Sequence, residues 1–342
     1  MFADLSLAAI ERRDGDVAIG IDVGGTKTAL GLVDAAGLGL LARTVIPTRR
    51  DRGGPAVLAD VGAAARALAD LSGRQGRRVT GVGLVVPEIV SRAGVITSAA
   101  VIPGWDELPV AAALGEIAPV RVEADVRASA FAEAVLGAGR PYGYHVFVTV
   151  GTGISYCAVY QGRPLAGARG GALNIGTTVL ARLPAGSPEP REVVLEEIAS
   201  GRALAERYAA RGGTARGADD VLAAAERGDE VAAAVLSEGA EALGIGIALL
   251  VNLLDPEAVI VGGGLGSADT PYWAATRAGV RRYLHAHAAG TVLIQGALGA
   301  DAGVIGAGLV GLQPSADSTS ADSGRADSGS ADSTRAERVE RN

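Results

Sequence analysis

Three short glycine-containing turns each follow an apolar segment, and each is suited to binding phosphate. They are Gly24-Gly25-Thr26, Gly151-Thr152-Gly153 and Gly262-Gly263-Gly264. Glycine has no Cβ atom, so its backbone N–H can approach a phosphate oxygen closely. Asp22 precedes the first turn and can hold Mg²⁺ directly or through water. Lys27, the only lysine in the chain, follows it and can contact a phosphate. Taken singly, such a turn is also typical of an ordinary hairpin.

The segments around the first two turns predict the same local structure twice. Apolar residues occupy 17–22 and 29–34 around the first turn, and 146–150 and 154–160 around the second. Two apolar runs separated by a glycine turn indicate a β-hairpin rather than a strand-to-helix crossover. We therefore expect an internal duplication of architecture.

Further elements are predicted from periodicity and composition. Apolar spacing favours helices over 55–73, 192–211, 219–254 and 302–312, and short apolar runs favour strands over 79–86 and 258–261. No turn carries the Gly-Lys-Ser/Thr sequence of a Walker A loop. None opens a helix with Gly-x-Gly-x-x-Gly, which disfavours a dinucleotide-binding Rossmann domain.

Composition limits the class of protein. With 342 residues and 49% hydrophobic content, two domains are more natural than one. The net charge of −7 argues against a general nucleic-acid binder. A single cysteine, Cys157, excludes an internal disulfide and a cysteine-based zinc site, and it favours the reducing cytoplasm. No basic signal-peptide region and no apolar run of about 18 residues are visible, so neither secretion nor a membrane is expected.

In this order, the motifs resemble those of the ROK family (repressor, open reading frame, kinase) over residues 17–312. Residues 22–27 resemble its first phosphate motif and 149–154 its second, and 252–257 followed by 262–264 resemble its adenosine-side motif. Pro103-Gly104-Trp105 and Ala199-Ser200-Gly201-Arg202 are further landmarks. The resemblance implies an α/β, two-domain, actin-like ATPase (ribonuclease H-like) fold with an interdomain cleft.

The resemblance also implies domain limits. We expect a smaller N-terminal α/β domain over 1–122, completed by a C-terminal helix over 301–313, and a larger α/β domain over 123–300. Residues 314–342 repeat Ala-Asp-Ser at 316, 321, 326 and 331 with almost no large apolar side chains. Such a segment buries too little surface to fold, so we predict a disordered tail.

A catalytic residue follows from the same resemblance. Family kinases carry Glu-Asn-Asp-Ala-Asn, where the Asp is the base for the sugar hydroxyl, and this chain has Glu123-Ala124-Asp125-Val126-Arg127. A positioned carboxylate can accept the hydroxyl proton as phosphorus is attacked. The resemblance thus implies Asp125 as base, ATP and Mg²⁺ as cofactors, and Glu123 near the substrate.

The implied sugar-contacting positions depart from the family. Val101 and Ala124 stand where Asn is usual, Asn174 and Thr177 replace the Glu and His of Gly-Glu-Ile-Gly-His, and Glu196 matches the last sugar-binding Glu. No cysteine or histidine lies between residues 176 and 196, so no zinc site is expected.

These replacements bear on the acceptor. Hydroxyl groups facing Val101 and Ala124 would lack polar partners, and each unpaired group would cost about 1–3 kcal/mol of binding free energy. We therefore expect the phosphorylated group to be a primary hydroxyl of a C7-cyclitol (valiolone type) or of a modified (amino) sugar. ROK-like kinases of both kinds occur in antibiotic and inhibitor biosynthesis.

Other functions stay open. One is a glucokinase with relaxed sugar contacts, and another is a non-catalytic homologue that binds a ligand. A sugar-sensing regulator is disfavoured because only about sixteen residues precede the first strand, too few for a helix-turn-helix domain. The expected partner is a small sugar or cyclitol, not nucleic acid, and a homodimer is an assembly that the resemblance allows.

Overall fold

The computed structural model describes residues 4–106, 108–182 and 192–314. Its strands are β1 (Asp16–Val23), β2 (Lys27–Asp34), β3 (Leu40–Pro47), β4 (Arg78–Val86), β5 (Val120–Ala124), β6 (Tyr144–Val150), β7 (Ile154–Tyr160), β8 (Arg163–Pro164), β9 (Val179–Arg182), β10 (Glu192–Val194), β11 (Ala258–Gly262) and β12 (Val292–Gln295). Its α-helices are α1 (Gly54–Arg74), α2 (Val110–Leu114), α3 (Asp125–Val135), α4 (Glu196–Ala199), α5 (Gly201–Ala210), α6 (Ala218–Glu226), α7 (Glu230–Leu254), α8 (Pro271–Tyr283) and α9 (Ala302–Gly311).

Two five-stranded sheets repeat one topology. The first has the order β3-β2-β1-β4-β5, and the second, read from its other edge, has the order β8-β7-β6-β11-β12. In the first sheet β1 is antiparallel to β2 and parallel to β4. In the second β6 is antiparallel to β7 and parallel to β11. Both predicted hairpins and the internal duplication are therefore confirmed.

Two helices lie between the sheets. Helix α9 packs on β1 and β4, helix α3 packs on β7, and the two helices contact each other. The close approach of α9 depends on glycine in β4, since a Cβ atom on Gly83 would lie 1.8 Å from the carbonyl oxygen of Ala307. A C-terminal helix thus packs on the N-terminal sheet. The predicted domain limits at 122 and 300 remain a prediction.

Each sheet has its own apolar core. In α1, Val57, Val61 and Ala65 recur every four residues, so they share the helix face that is buried against the first sheet. Helix α7 contributes to the core of the second sheet, and its Leu243 and Ile247 are almost fully buried. The two cores hold the strand ends that carry the glycine turns.

One sequence prediction is corrected. Residues 192–211 form no single helix, because β10 pairs with β9 and Ser200 separates α4 from α5. The Ser200 hydroxyl accepts a hydrogen bond from Ala203 N at 3.1 Å and so caps α5. Helix α7 does reach membrane-spanning length and apolarity, with a mean hydropathy of 1.7, but 61% of its most apolar window is buried, as expected for a core helix. Except for Pro314, the tail predicted over 314–342 lies outside the described residues.

Candidate active site

The first glycine turn, between β1 and β2, is held by hydrogen bonds within the turn and from Thr48. Gly24 N donates to Lys27 O at 3.0 Å, which closes the turn. Thr48 Oγ1 donates to Gly24 O at 2.7 Å and shares a 2.9 Å hydrogen bond with Thr28 Oγ1. Both threonines are buried. The turn is therefore held from beneath, while Thr26 and Lys27 are exposed.

Asp22 lies near the end of β1, against the first turn of α9. A Cβ atom on Gly303 would lie 2.1 Å from Asp22 Oδ2, so any larger residue there would displace this carboxylate. Burial raises the pKa of Asp22 to about 6, and the charge of Arg43 opposes the shift. Among the residues that the structure describes, none donates a hydrogen bond to the Asp22 carboxylate, which leaves its oxygens available to a cation or water.

Asp125 is the first residue of α3, and its carboxylate interacts with that of Asp22. Burial raises the pKa of Asp125 to about 7, and the negative charges of Asp22 and Glu88 add to the shift. The N–H of Val126, which donates to Asp125 Oδ1 at 2.6 Å, and the charge of Arg127 oppose it. A carboxyl group that titrates near neutrality can accept a proton from a substrate hydroxyl and release it afterwards.

Glu123 and Ala124, which the resemblance places near the substrate, are both largely buried. Glu123 is 8% exposed, and its Oε1 accepts from Arg127 Nε at 2.7 Å and from Ala124 N at 2.8 Å. Ala124 is 5% exposed and belongs to the first apolar core. Glu123 thus links the end of β5 to α3, the helix that begins with Asp125. Contact of either residue with the substrate stays a prediction.

Arg127 is a buried residue that the sequence did not single out. Its guanidinium donates to Gly170 O and Val90 O, both at 2.6 Å, and pairs with Glu123. It thereby joins α3 to the loops that follow β4 and β8. The available sequence signal was an arginine two residues after Asp125, in a helix that packs on both halves of the protein.

Val101 lies beside the first glycine turn. Its Cγ1 would be 3.2 Å from a Cβ atom on Gly25, and the side chain is partly exposed. The structure therefore brings this acceptor-side position next to the first phosphate motif. The backbone of the loop that carries Val101 donates hydrogen bonds to Glu88, a second residue that the sequence did not single out, although it follows Pro87 just after a predicted strand.

The second and third glycine turns lie at one edge of the second sheet. Gly262 of β11 is the parallel partner of Thr149 in β6. Gly263 has φ +82°, and a Cβ atom there would lie 2.5 Å from Val150 O, so only glycine suits the position. Gly151 N donates to Gly153 O at 2.9 Å, and its carbonyl accepts from Gly201 N of α5 at 2.8 Å. Thr152 and Gly264 are exposed.

Glu196, Asn174 and Thr177 gather around the second turn. Glu196 Oε2 accepts from Ile154 N at 2.7 Å, and Glu196 N donates to Gly176 O at 2.9 Å. Asn174 and Thr177 are exposed, and Thr177 Oγ1 donates to Asn174 Oδ1 at 3.0 Å. Glu196 is thus engaged with the turn itself, whereas the other two side chains face solvent.

The carboxylates near the first glycine turn suit a metal ion that brings other ligands with it. Within 4–106, 108–182 and 192–314, no three or more His, Cys, Asp or Glu residues are grouped to hold a metal ion. Mg²⁺ that arrives with a nucleotide needs only one or two carboxylates besides the phosphates. Asp22 fits that requirement, because its carboxylate stands beside the first turn without a hydrogen-bond donor from the described residues.

Comparison with known proteins gives consistent matches over most of the chain. Residues 18–313 match the model of the ROK family. The chain is 36% identical to the bifunctional enzyme NanE/NanK of Brucella melitensis over 84% of its own length, but it spans only 52% of that protein. It is 30% identical to the glucokinase of Halalkalibacterium halodurans, covering 85% of this chain and 93% of that protein.

Solved structures match the fold over a similar range. The ROK hexokinase from Thermus thermophilus is 33% identical with a TM-score of 0.69, covering 86% of this chain and 97% of that one. A ROK family glucokinase from Streptomyces griseus, in complex with glucose and AMPPNP, is 27% identical with a TM-score of 0.72, covering 87% and 100%. These matches confirm the predicted two-domain actin-like ATPase fold.

Proposed function

Because this chain belongs to the ROK family, we propose that it is an ATP-dependent kinase of a sugar-like molecule. One observation carries the proposal. The predicted base Asp125 and the predicted cation-binding Asp22, far apart in sequence, interact beside the first glycine turn, and burial raises the pKa of Asp125 to about 7.

In the proposed reaction the acceptor oxygen forms a bond to the γ-phosphorus of ATP, the bond from that phosphorus to the bridging oxygen breaks, and ADP leaves. The hydroxyl proton passes to a carboxylate oxygen of Asp125. The three glycine turns, residues 24–26, 151–153 and 262–264, bind the nucleotide through backbone N–H groups, with Thr26 and Lys27 exposed beside the phosphates. Asp22 would hold Mg²⁺ bound with ATP, and the ion would supply positive charge that neutralises the transferring group.

For the acceptor, we propose a primary hydroxyl of a C7-cyclitol of the valiolone type or of a modified amino sugar, within secondary metabolism such as antibiotic biosynthesis. The support is Val101, an aliphatic side chain beside Gly25 where the resemblance predicts an amide. Exposed Asn174 and Thr177, in place of Glu and His, support it as well. Ala124 no longer contributes, since it is buried in the core.

Glucose is the second candidate acceptor, and the protein would then be a glucokinase with relaxed contacts. Its support is the similarity to the Halalkalibacterium halodurans glucokinase and to the glucose-bound Streptomyces griseus structure. A non-catalytic or sensing role is the remaining alternative. We also propose a homodimer and a cytoplasmic location. The domain limits 1–122, 123–300 and 301–313 stay predictions.

The test is an ADP-release screen with MgATP and glucose, kanosamine, a valiolone-type cyclitol, N-acetylglucosamine and N-acetylmannosamine. We expect acceptor-dependent ADP release that Asp125→Asn lowers by about 10² to 10⁴-fold, with exposed Asp70→Asn as the matched control. Efficient use of glucose at low concentration would replace the cyclitol or amino-sugar proposal with the glucokinase. Nucleotide binding without transfer to any acceptor would support the non-catalytic alternative.

A further inference from the structure

Glu88 is a buried carboxylate with an unusually complete set of hydrogen-bond donors. It directly follows Pro87 at the end of β4 and is 6% exposed. Oε2 accepts from Ser98 Oγ at 2.8 Å and from Ala100 N at 2.9 Å. Oε1 accepts from Val101 N at 2.8 Å and from Ile102 N at 3.0 Å. Three consecutive backbone N–H groups and one hydroxyl therefore converge on one side chain.

This arrangement needs an ionised carboxylate. A carboxylate accepts hydrogen bonds at both oxygens, whereas an amide turns one of these positions into a donor that would face two other donors. Consecutive N–H groups directed at one point form an anion-binding concavity. The conformation of residues 98–102, defined here as the acceptor loop, is therefore fixed largely by Glu88.

The acceptor loop brings Val101 to the first glycine turn. Val101 donates its N–H to Glu88, and its Cγ1 would lie 3.2 Å from a Cβ atom on Gly25. The next residue, Ile102, is fully buried and anchors the end of the loop in the first core. The position of the Val101 side chain thus depends on a carboxylate that is itself buried below it.

We propose that Glu88 is a positioning residue for phosphoryl transfer, whose carboxylate shapes the acceptor loop and so places Val101 against the acceptor. This inference rests on the proposed function. Both carboxylate oxygens are already engaged, so Glu88 acts through the loop rather than on the substrate.

Its charge acts on the base as well. The charged groups that face Asp125 are Asp22 on β1, Arg127 on α3 and Glu88 after β4. Glu88 and Asp22 raise the pKa of Asp125, whereas Arg127 and the N–H of Val126 lower it. Glu88 therefore also belongs to the charged surroundings of the base.

The test compares Glu88→Gln, Glu88→Asp and the exposed control Glu116→Gln in steady-state kinetics from pH 5.5 to 8.5. Glucose is the acceptor, or kanosamine or a valiolone-type cyclitol if the screen prefers one of them. For Glu88→Gln we expect the acceptor KM to rise at least about 10-fold with the KM for ATP within about 2-fold.

Glu88→Asp tests the geometry of the carboxylate. The shorter side chain keeps the charge but does not reach all four donors, so the acceptor KM should rise while the KM for ATP stays within about 2-fold. An unchanged acceptor KM in Glu88→Gln would overturn the proposal. If Glu88→Gln does not fold, Ser98→Ala removes one donor and should raise the acceptor KM about 2- to 5-fold, and no change there would equally overturn it.

Amide hydrogen exchange keeps this inference distinct from the proposed function. If the parent protein phosphorylates none of the acceptors, the kinase proposal fails, but the loop can still be followed. In Glu88→Gln we expect the amides of Ala100, Val101 and Ile102 to exchange at least about 10-fold faster than in the parent. Unchanged exchange would show that Glu88 does not hold the acceptor loop.

Discussion

Asp22 on β1 and Asp125 on α3 place two carboxylates close enough for the charge of the first to raise the pKa of the second. The charge of Asp22 is the second cause, after burial, of the raised pKa of Asp125. Because α3 and α9 pack between the sheets, both carboxylates reach the same place near the first glycine turn. Since the pKa of Asp22 is raised to about 6 and that of Asp125 to about 7, we expect turnover to depend on pH near neutrality.

The pH dependence of turnover is the first prediction. Asp125 must be ionised to accept a proton, and its pKa is raised to about 7. We therefore expect kcat to fall as the pH drops below about 7, approaching a tenfold loss per pH unit. Initial rates between pH 5.5 and 8.5 at saturating MgATP measure this. A kcat that is flat down to pH 5.5 would remove Asp125 as the base.

Asp125→Asn should change stability in a pH-dependent way. The pKa of Asp125 is about 7 in the folded protein against an ordinary value of 3.8, so the folded state holds this proton more tightly. The stability contributed by Asp125 therefore falls as the pH rises from about 4 to about 7. We expect Asp125→Asn to match the parent near pH 4 and to exceed it by about 1–2 kcal/mol at pH 8. Denaturant unfolding at both pH values tests this, and a gap that narrows with rising pH would contradict it.

Gly303→Ala should displace the Asp22 carboxylate. The new Cβ atom would lie 2.1 Å from Asp22 Oδ2, a clash that outweighs the gain of about 1 kcal/mol in helix propensity. We expect kcat to fall at least about 10-fold. The control is Gly39→Ala, where a Cβ atom has no neighbour within 4 Å. Parent-like kcat in Gly303→Ala would show that the position of Asp22 is unimportant for turnover.

Glu196→Ala should weaken nucleotide binding rather than acceptor binding. The change leaves the Ile154 N–H without its carboxylate partner, which costs about 1–3 kcal/mol of stability. The second glycine turn should become less ordered as a result. We expect the KM for ATP to rise about 10-fold while the acceptor KM stays within about 2-fold. The adjacent exposed Glu197→Ala is the matched control. A rise confined to the acceptor KM would instead support the sugar contact predicted from the sequence.

Val101→Asn should improve the use of glucose. An amide in place of the isopropyl group supplies donors and an acceptor for a sugar hydroxyl beside Gly25. We expect kcat/KM for glucose to rise about 10-fold. Val95→Asn, at a 56% exposed valine of the same region, is the control. An unchanged or lower kcat/KM for glucose would show that Val101 does not determine acceptor choice.

Much of the fold could be predicted because its signals are local. The two hairpins around Gly24 and Gly151 depend on glycine turns between apolar runs, and those interactions span only a few residues. The predicted helix over 192–211 was wrong because it too was inferred from local spacing alone. Its interruption at Ser200 depends on Gly151 O accepting from Gly201 N, a contact between distant segments that periodicity does not reveal.

The sequence by itself determined the family resemblance, the two hairpins, the glycine turns and the position of Asp125 within its motif. Only the tertiary structure decided how the polar groups are used. It buried Glu123 with Arg127, turned Glu196 towards Ile154, and directed the acceptor loop at Glu88. The reason is physical: hydrogen-bond partners, burial and the resulting pKa values depend on groups brought together from distant segments.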